Sequence, residues 1–405
     1  MGQAEEPSPG GSSRESHSLS PLWRPGDPPL GLYVHVPFCR AICSYCAFAK
    51  GEYEARSADR WLDVLEREIA IRASSTWDGR PVLDTVFLGG GTPSTLTVSQ
   101  WHRLGTLLDV GFELASDVEF TSEANPESFT AETAEAMRKI GVNRVSLGVQ
   151  SLDRDELEML GRIHGVREVE AAVEVARAAG FESFNLDLMY ALPGQTLDVF
   201  RGTLEGVLAM EPDHLSAYCL GLEPGTPLAG EVAEGSLPAP NDDTARTLYE
   251  HLVERTAGAG FVLYEISNFA RPGRSCRHNL RYWKRADVIG IGPSAHALLD
   301  NHRWANPAPL EKWAGAYDGD AGPPPRPVPH EVARFEWVFL NLRLVDGLSK
   351  DEFAACWGEP FDEVYEAIVR QLIRGGMLEE VDDRVRLTPG ARFLSDAVFS
   401  EFAPG

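Results

Sequence analysis

From Leu32 onward, short runs of apolar and β-branched residues alternate with longer segments of helical period. A strand packed on both faces reads as a nearly continuous apolar run, whereas a helix lying on a sheet carries one apolar stripe. The alternation therefore predicts parallel strands joined by crossover helices. The expected strands lie near Leu32–His35, Thr85–Leu88, Val118–Thr121, Arg144–Leu147, Phe184–Leu188 and His214–Tyr218. The expected helices lie near Asp59–Arg72, Val98–Leu108, Ala131–Lys139, Val166–Ala179 and Leu197–Met210. This order points to the α/β class, and to an incomplete (β/α)6 barrel rather than a doubly wound sheet. Glu123 and Asn125, Gln150 and Ser151, and Asp187 and Tyr190 fall at or just after the C-terminal ends of expected strands, where such barrels gather their functional groups.

After Met210 the rhythm changes. The segment from Glu223 to Ala321 is richer in Gly, Pro and aromatic residues, has one strand-like run at Phe261–Ile266, and reads as an extension of the barrel. The stiff stretch Gly-Pro-Pro-Pro-Arg-Pro-Val-Pro at 322–329 marks a boundary. Beyond it the pattern predicts three helices, a hairpin resembling the wing of a winged helix, and a last helix. The reading thus divides the chain into a solvated tail over 1–27, a barrel core over 28–222, an extension over 223–322 and a mostly helical, winged-helix-like domain over 323–405. A wing often means DNA, but residues 330–405 hold 8 Lys and Arg against 15 Asp and Glu, which favours packing or partner docking.

Composition narrows the picture. With 43% hydrophobic and 24% charged residues the chain is ordinary globular protein, and no apolar run approaches the roughly 20 residues that span a bilayer. The first 27 residues lack the apolar core of a signal peptide, so the expected location is the cytoplasm, with no integral membrane segment. A formal charge of −24 opposes loose binding to nucleic acid.

Of six cysteines, Cys39, Cys43 and Cys46 sit together, while Cys219, Cys276 and Cys356 are dispersed and are expected to be buried as small hydrophobes. Cys-x3-Cys-x2-Cys directly after the first strand can hold three irons of a [4Fe–4S] cubane and leave the fourth open to another ligand. Structural zinc, with His35 or a distant residue as fourth ligand, is the competing reading, as are three buried thiols. Gly89-Gly90-Gly91-Thr92-Pro93 follows the second strand, where glycines let backbone N–H groups approach a bound group. A tight turn with no ligand explains that triplet about as well. Glu123 could accept from a cationic amine, and Gln150 and Asp187 offer hydrogen bonds, although each alone could be a turn former or cap.

Cys-x3-Cys-x2-Cys in this setting resembles the signature of the radical S-adenosylmethionine superfamily. The ordered motifs Leu-Tyr33-Val-His-Val-Pro-Phe-Cys, Phe-Leu-Gly-Gly-Gly-Thr-Pro, Ser-Glu123-Ala-Asn-Pro, Ser-Leu-Gly-Val-Gln150-Ser, Gly-Arg162-Ile-His164 and Asp187-Leu-Met-Tyr-Ala-Leu-Pro-Gly-Gln resemble, more narrowly, the oxygen-independent coproporphyrinogen III oxidase family. By that resemblance Tyr33, Tyr45, Gly90, Gly91, Thr92, Glu123, Gln150, Arg162 and Asp187 bind S-adenosylmethionine, whose amine and carboxylate chelate the open iron. True oxidases of the family carry a fourth cysteine two residues beyond the third. Here Phe48 stands at that position, as in the HemW branch of heme chaperones, and Arg277-His278-Asn279-Leu280-Arg281-Tyr282-Trp283 matches that branch's His-Asn-x-x-Tyr-Trp pattern. The resemblance implies a protein that binds heme and delivers it to acceptor proteins. His278 would be the axial ligand, with Tyr282 and Trp283 flanking the porphyrin and His296, in Gly290–His296, a second candidate. A structural histidine in an aromatic cluster is the bland reading of His278. Oxidative decarboxylation of coproporphyrinogen III is the alternative activity.

Overall fold

A computed structural model describes residues 22–319 and 321–404. Most of the expected tail, residues 1–21, lies outside the described residues. Residues 24–27 are exposed, but Trp23 is buried, bridges to Trp77 as a parallel strand would, and donates its indole N–H to Pro28 O at 3.2 Å.

Six parallel strands follow the expected order: β1 (Leu30–Val36), β2 (Val82–Gly90), β3 (Glu113–Ala124), β4 (Arg144–Gln150), β5 (Ser183–Tyr190) and β6 (His214–Cys219). The helices between them are α1 (Ala55–Ser75), α2 (Val98–Gly111), α3 (Ala131–Lys139), α4 (Val166–Ala178) and α5 (Leu197–Ala209). Their starts are written locally. Thr97 begins α2 with a capping box, its hydroxyl accepting from Gln100 N while the Gln100 side chain accepts from Thr97 N, and the Thr130 and Thr196 hydroxyls cap α3 and α5. Apolar strand residues such as Leu32, Val34, Val86, Leu88, Leu147 and Leu186 meet the inner stripes of the helices in one large core.

The extension holds more structure than its composition indicated. It supplies α6 (Asp242–Gly258), β7 (Val262–Glu265), β8 (Asn268–Ala270), a short helix α7 (Arg277–Trp283), β9 (Val288–Ile291), β10 (His296–Leu299), β11 (His302–Ala305) and β12 (Arg326–Pro327). All join one sheet in the order β12-β11-β10-β9-β1-β2-β3-β4-β5-β6-β8-β7, with β9 parallel to β1 and the order linear rather than cyclic. The barrel is therefore incomplete, as expected, but β9 extends its parallel set. Arg326–Pro327 pairs with His302–Arg303, so part of the proline-rich stretch is an edge strand rather than a free linker.

The C-terminal region has its own apolar core around Phe353, Phe361, Val369 and Val385. Helices α8 (His330–Leu342), α9 (Lys350–Trp357) and α10 (Phe361–Arg374) pack with β13 (Leu348–Ser349) and the hairpin β14 (Leu378–Val381) and β15 (Arg384–Leu387). It docks on the barrel, with Arg343 stacked 4.4 Å over Trp283 and donating to Glu265 at 3.2 Å. Of the dispersed cysteines only Cys276 is buried, whereas Cys219 and Cys356 are exposed, contrary to expectation. Among the described residues no helix is long and apolar enough to cross a membrane.

Candidate functional site

The C-terminal ends of the barrel strands surround a cavity of about 710 Å³. The chain leaves β1, forms a two-residue strand at Phe38–Cys39 that pairs with Gly51–Glu52, and between them loops over the barrel mouth, carrying Cys39, Cys43 and Cys46 on the cavity wall. Several contacts hold this loop. Ser44 donates through its hydroxyl to Met159 O at 2.7 Å and through its backbone to Leu160 O at 3.1 Å, and Leu228 N donates to Ser44 O at 3.0 Å. His35 braces the far end of the loop, with Nδ1 3.1 Å from the Tyr33 hydroxyl and Nε2 2.7 Å from Ala49 O.

Both nitrogens of His35 are thereby engaged. Among the described residues no three His, Cys, Asp or Glu side chains converge where one metal ion could sit. The geometry thus disfavours a mononuclear zinc centre using His35. Spread thiols at one mouth instead suit a multi-iron cluster. Two of the sulfurs face donors that favour a thiolate, since Thr92 Oγ1 is 3.5 Å from Cys39 Sγ and Arg162 Nη1 is 3.4 Å from Cys43 Sγ. Burial raises the Cys39 thiol pKa, and the Thr92 hydrogen bond works against that shift.

The glycine turn after β2 locks against the cysteine loop. Gly91 N donates to Val36 O at 2.8 Å and Thr92 N to Phe38 O at 2.7 Å. Gly90 has φ +103°, and a Cβ there would lie 2.4 Å from the His35 ring, so only glycine fits both the backbone and the space. Its amide donates to Glu123 Oε2 at 3.1 Å. Glu123 and Asp187 lie deep in the barrel, each with a side toward the cavity. Burial first, and the neighbouring Asp187 second, push the Glu123 carboxyl up to about 8. Burial also raises Asp187, while hydrogen bonds from Asn185, Ser216 and Ser146 and the charge of Arg144 oppose the shift. Glu123 forms no ion pair with a described Lys or Arg, and a cationic ligand in the cavity would return it toward its ordinary ionised state.

Tyr45, Gly90, Gly91, Thr92, Glu123, Gln150, Arg162 and Asp187 all line this cavity with the three cysteines. Gln150 does so from a left-handed backbone, φ 67°, that turns the end of β4. Arg162 spans the mouth, donating to Asn125 Oδ1 at 2.7 Å and Gly148 O at 2.6 Å besides facing Cys43. Tyr33 does not line the cavity. It stacks on Phe87, which does, and supports His35, so it acts as a prop. Asn125 was noticed only as a strand-end polar residue, yet it ties Thr92 to Arg162. Asn279, from the His-Asn-x-x-Tyr-Trp segment, lines the cavity, as do Arg144, Ser146, Asn185 and Ser216, which had no motif to reveal them. Their signal was parity along strands whose inward face is polar.

The expected heme ligands lie elsewhere. His278 is fully buried on α7 beneath the barrel, its Nδ1 3.0 Å from Thr85 Oγ1 and its Nε2 3.2 Å from the Tyr282 hydroxyl, and it stacks on Phe87. Burial lowers its pKa to about 3, keeping it neutral. Trp283 lies under the Arg343 guanidinium. His278 is closed off, with both ring nitrogens engaged, whereas Tyr282 is 37% exposed and Trp283 is half-buried, and none of the three lines the cavity. His296 is exposed on β10 and does not line the cavity.

Known proteins resemble this chain at several levels. Residues 33–206 match the Radical SAM superfamily, and residues 328–394 match the HemN C-terminal domain. The chain is 35% identical to the heme chaperone HemW of Bacillus subtilis over 375 residues, covering 91% of this chain and 98% of that protein. It is 38% identical to HemW of Mycobacterium tuberculosis, covering 95% and 96%, and 34% identical to HemW of Escherichia coli, covering 93% and 98%. The solved structure of the coproporphyrinogen III oxidase HemN from Escherichia coli, a radical SAM enzyme, superposes with TM-score 0.82 at 25% identity, covering 92% of this chain and 90% of that one.

Proposed function

The chain belongs to the HemW family of heme chaperones within the radical SAM superfamily, and from that membership we propose that it binds heme and passes it to acceptor proteins, carrying a [4Fe–4S] cluster and S-adenosylmethionine. Its proposed setting is the cytoplasm, and neither nucleic acid nor an integral membrane segment enters the reading. Cys39, Cys43 and Cys46 would hold three irons. Glu123 would receive the cationic amine, and Gln150, Arg162 and Asp187 would offer polar contacts around the same ligand. When bound, cluster and S-adenosylmethionine together supply one-electron reductive cleavage of the sulfonium carbon–sulfur bond. The protein's own part is to pin the cysteine loop through Ser44 and His35 and to hold in Glu123 a carboxyl that ionises when a cation lies beside it.

The observation that supports heme handling is the rim of the mouth. Phe48, where true oxidases carry another cysteine, lines the cavity and is 71% exposed, and Tyr218, also on the cavity wall, is 43% exposed. Exposed aromatic rings on the wall of a polar cavity suit the flat face of a porphyrin. The cavity wall at Phe48, rather than the buried His278 of α7, is the proposed heme contact.

The test combines two assays on cluster-loaded protein under anaerobic conditions. Heme titrated by its absorption binds the native chain, Phe48→Ser weakens that binding, and His278→Ala leaves it unchanged. With S-adenosylmethionine, reductant and coproporphyrinogen III, no decarboxylated porphyrin accumulates over multiple turnovers. Accumulation would make the chain an oxidase, and heme binding lost in His278→Ala but kept in Phe48→Ser would return the site to α7.

A further inference from the structure

At the bottom of the cavity stands Arg144, the first residue of β4. Only 4% of its surface is exposed, yet it lines the cavity. No described acceptor takes a hydrogen bond from its Nε, and it is in no ion pair with a described carboxylate. A buried guanidinium without partners is costly and is ordinarily removed or paired.

The two carboxylates whose charge reaches Arg144 are directed elsewhere. Glu119 caps α7, accepting from Arg277 N and His278 N at 2.9 Å each. Asp187 accepts from Asn185 Nδ2 at 2.7 Å and Ser146 Oγ at 3.0 Å. The His-Asn-x-x-Tyr-Trp segment contributes as well, because α7 closes the barrel from below and Asn279 reaches its floor while His278 is spent on Thr85 and Tyr282.

We propose that Arg144 and Asn279 form a receptor at the floor of the barrel for the carboxylate of an organic ligand other than S-adenosylmethionine. A planar guanidinium with free donors matches a carboxylate through two parallel hydrogen bonds, and Asn279 adds an amide donor beside it. Glu123 and Asp187 on the wall above offer an anion no cation, so the floor takes a ligand whose negative end is seated on Arg144 and whose remainder is neutral or apolar. The inference goes beyond heme delivery and stands whether or not heme is bound at the rim.

Thermal unfolding of the full, cluster-loaded chain tests it, with sodium propionate as probe and propionamide and sodium chloride at matched ionic strength as controls. Propionate is expected to raise the melting temperature where the controls do not, and to do so equally with saturating S-adenosylmethionine. In Arg144→Met the apparent affinity for propionate drops about tenfold or more, the range expected for a hydrogen bond to a charged group. Arg144→Lys keeps part of it. Should Arg144→Met fail to fold, Asn279→Leu carries the test through a weaker propionate shift. The proposal is overturned if propionate and propionamide act alike, if the variant that folds keeps the native shift, or if S-adenosylmethionine abolishes the shift.

Discussion

Two regions of this molecule bury the same pair of charges and treat them oppositely. Behind the barrel, Glu68 on α1 accepts from Gly292 N, Asn306 Nδ2, Trp313 Nε1 and Tyr317 OH at 2.6–3.0 Å. Its neighbour Arg72 donates to Tyr317 OH and Pro323 O and stacks over Trp304. Inside the barrel, Glu123 has one donor, Gly90 N, and the Nε of Arg144 has no acceptor among the described residues. The first pair is a brace that ties α1 to the segment from Gly292 to Pro323. The second is a set of groups prepared for ligands. A carboxylate with four donors, like Glu68, specifies structure, and although the Nε of Arg72 lacks an acceptor just as that of Arg144 does, only Arg144 lines the cavity.

The comparison breaks most visibly at the cysteines. Cys46→Ala should lose nearly all bound iron, measured as iron and sulfide content after anaerobic reconstitution, while circular dichroism stays native, because the loop is held by Ser44 and His35 rather than by the thiols. Next in size is the brace. Glu68→Ala strands four donors beside a buried guanidinium and should cost ~3–5 kcal/mol in urea unfolding. A loss below about 1 kcal/mol would show that the brace is no stronger than an exposed pair.

Glu123→Gln should behave in the opposite way. Stability is held or slightly raised, since an unpaired buried carboxyl is removed, while affinity for S-adenosylmethionine falls roughly 10- to 100-fold in calorimetry. Equal losses in both measurements would make Glu123 a second brace. The smallest effect is a pH slope. Because the folded carboxyl sits at about 8 rather than near its ordinary value, the native chain binds the extra proton between those limits. Glu123 therefore lowers stability progressively as pH rises from about 4.5 to 8, and Glu123→Gln flattens that part of the profile. S-adenosylmethionine binding should move the other way and tighten toward pH 8 as the carboxylate ionises.

Much of the barrel was readable because its signals are local. Strand runs such as Phe184–Leu188 and helix starts such as Thr97 and Thr196 depend on neighbours a few residues away. The extension was harder. β9, Val-Ile-Gly-Ile, is too short and glycine-interrupted to register alone, and becomes a strand only by pairing with β1. Proline-rich residues 326–327 read as linker for the same reason, since their partner, β11, lies more than twenty residues earlier.

The sequence by itself determined the candidate cluster residues: three thiols spaced after a strand, a glycine triplet after the next, and acids at strand ends, all set by residue type and short spacing. Tertiary structure alone decided the rest. It sent His278 beneath the barrel, where Thr85 and Tyr282 occupy its nitrogens, made Tyr33 a prop rather than a wall, and left Arg144 facing the cavity unpartnered. Whether a polar side chain is satisfied or free depends on which distant strand or helix comes to lie against it, and that information is carried by packing rather than by any motif.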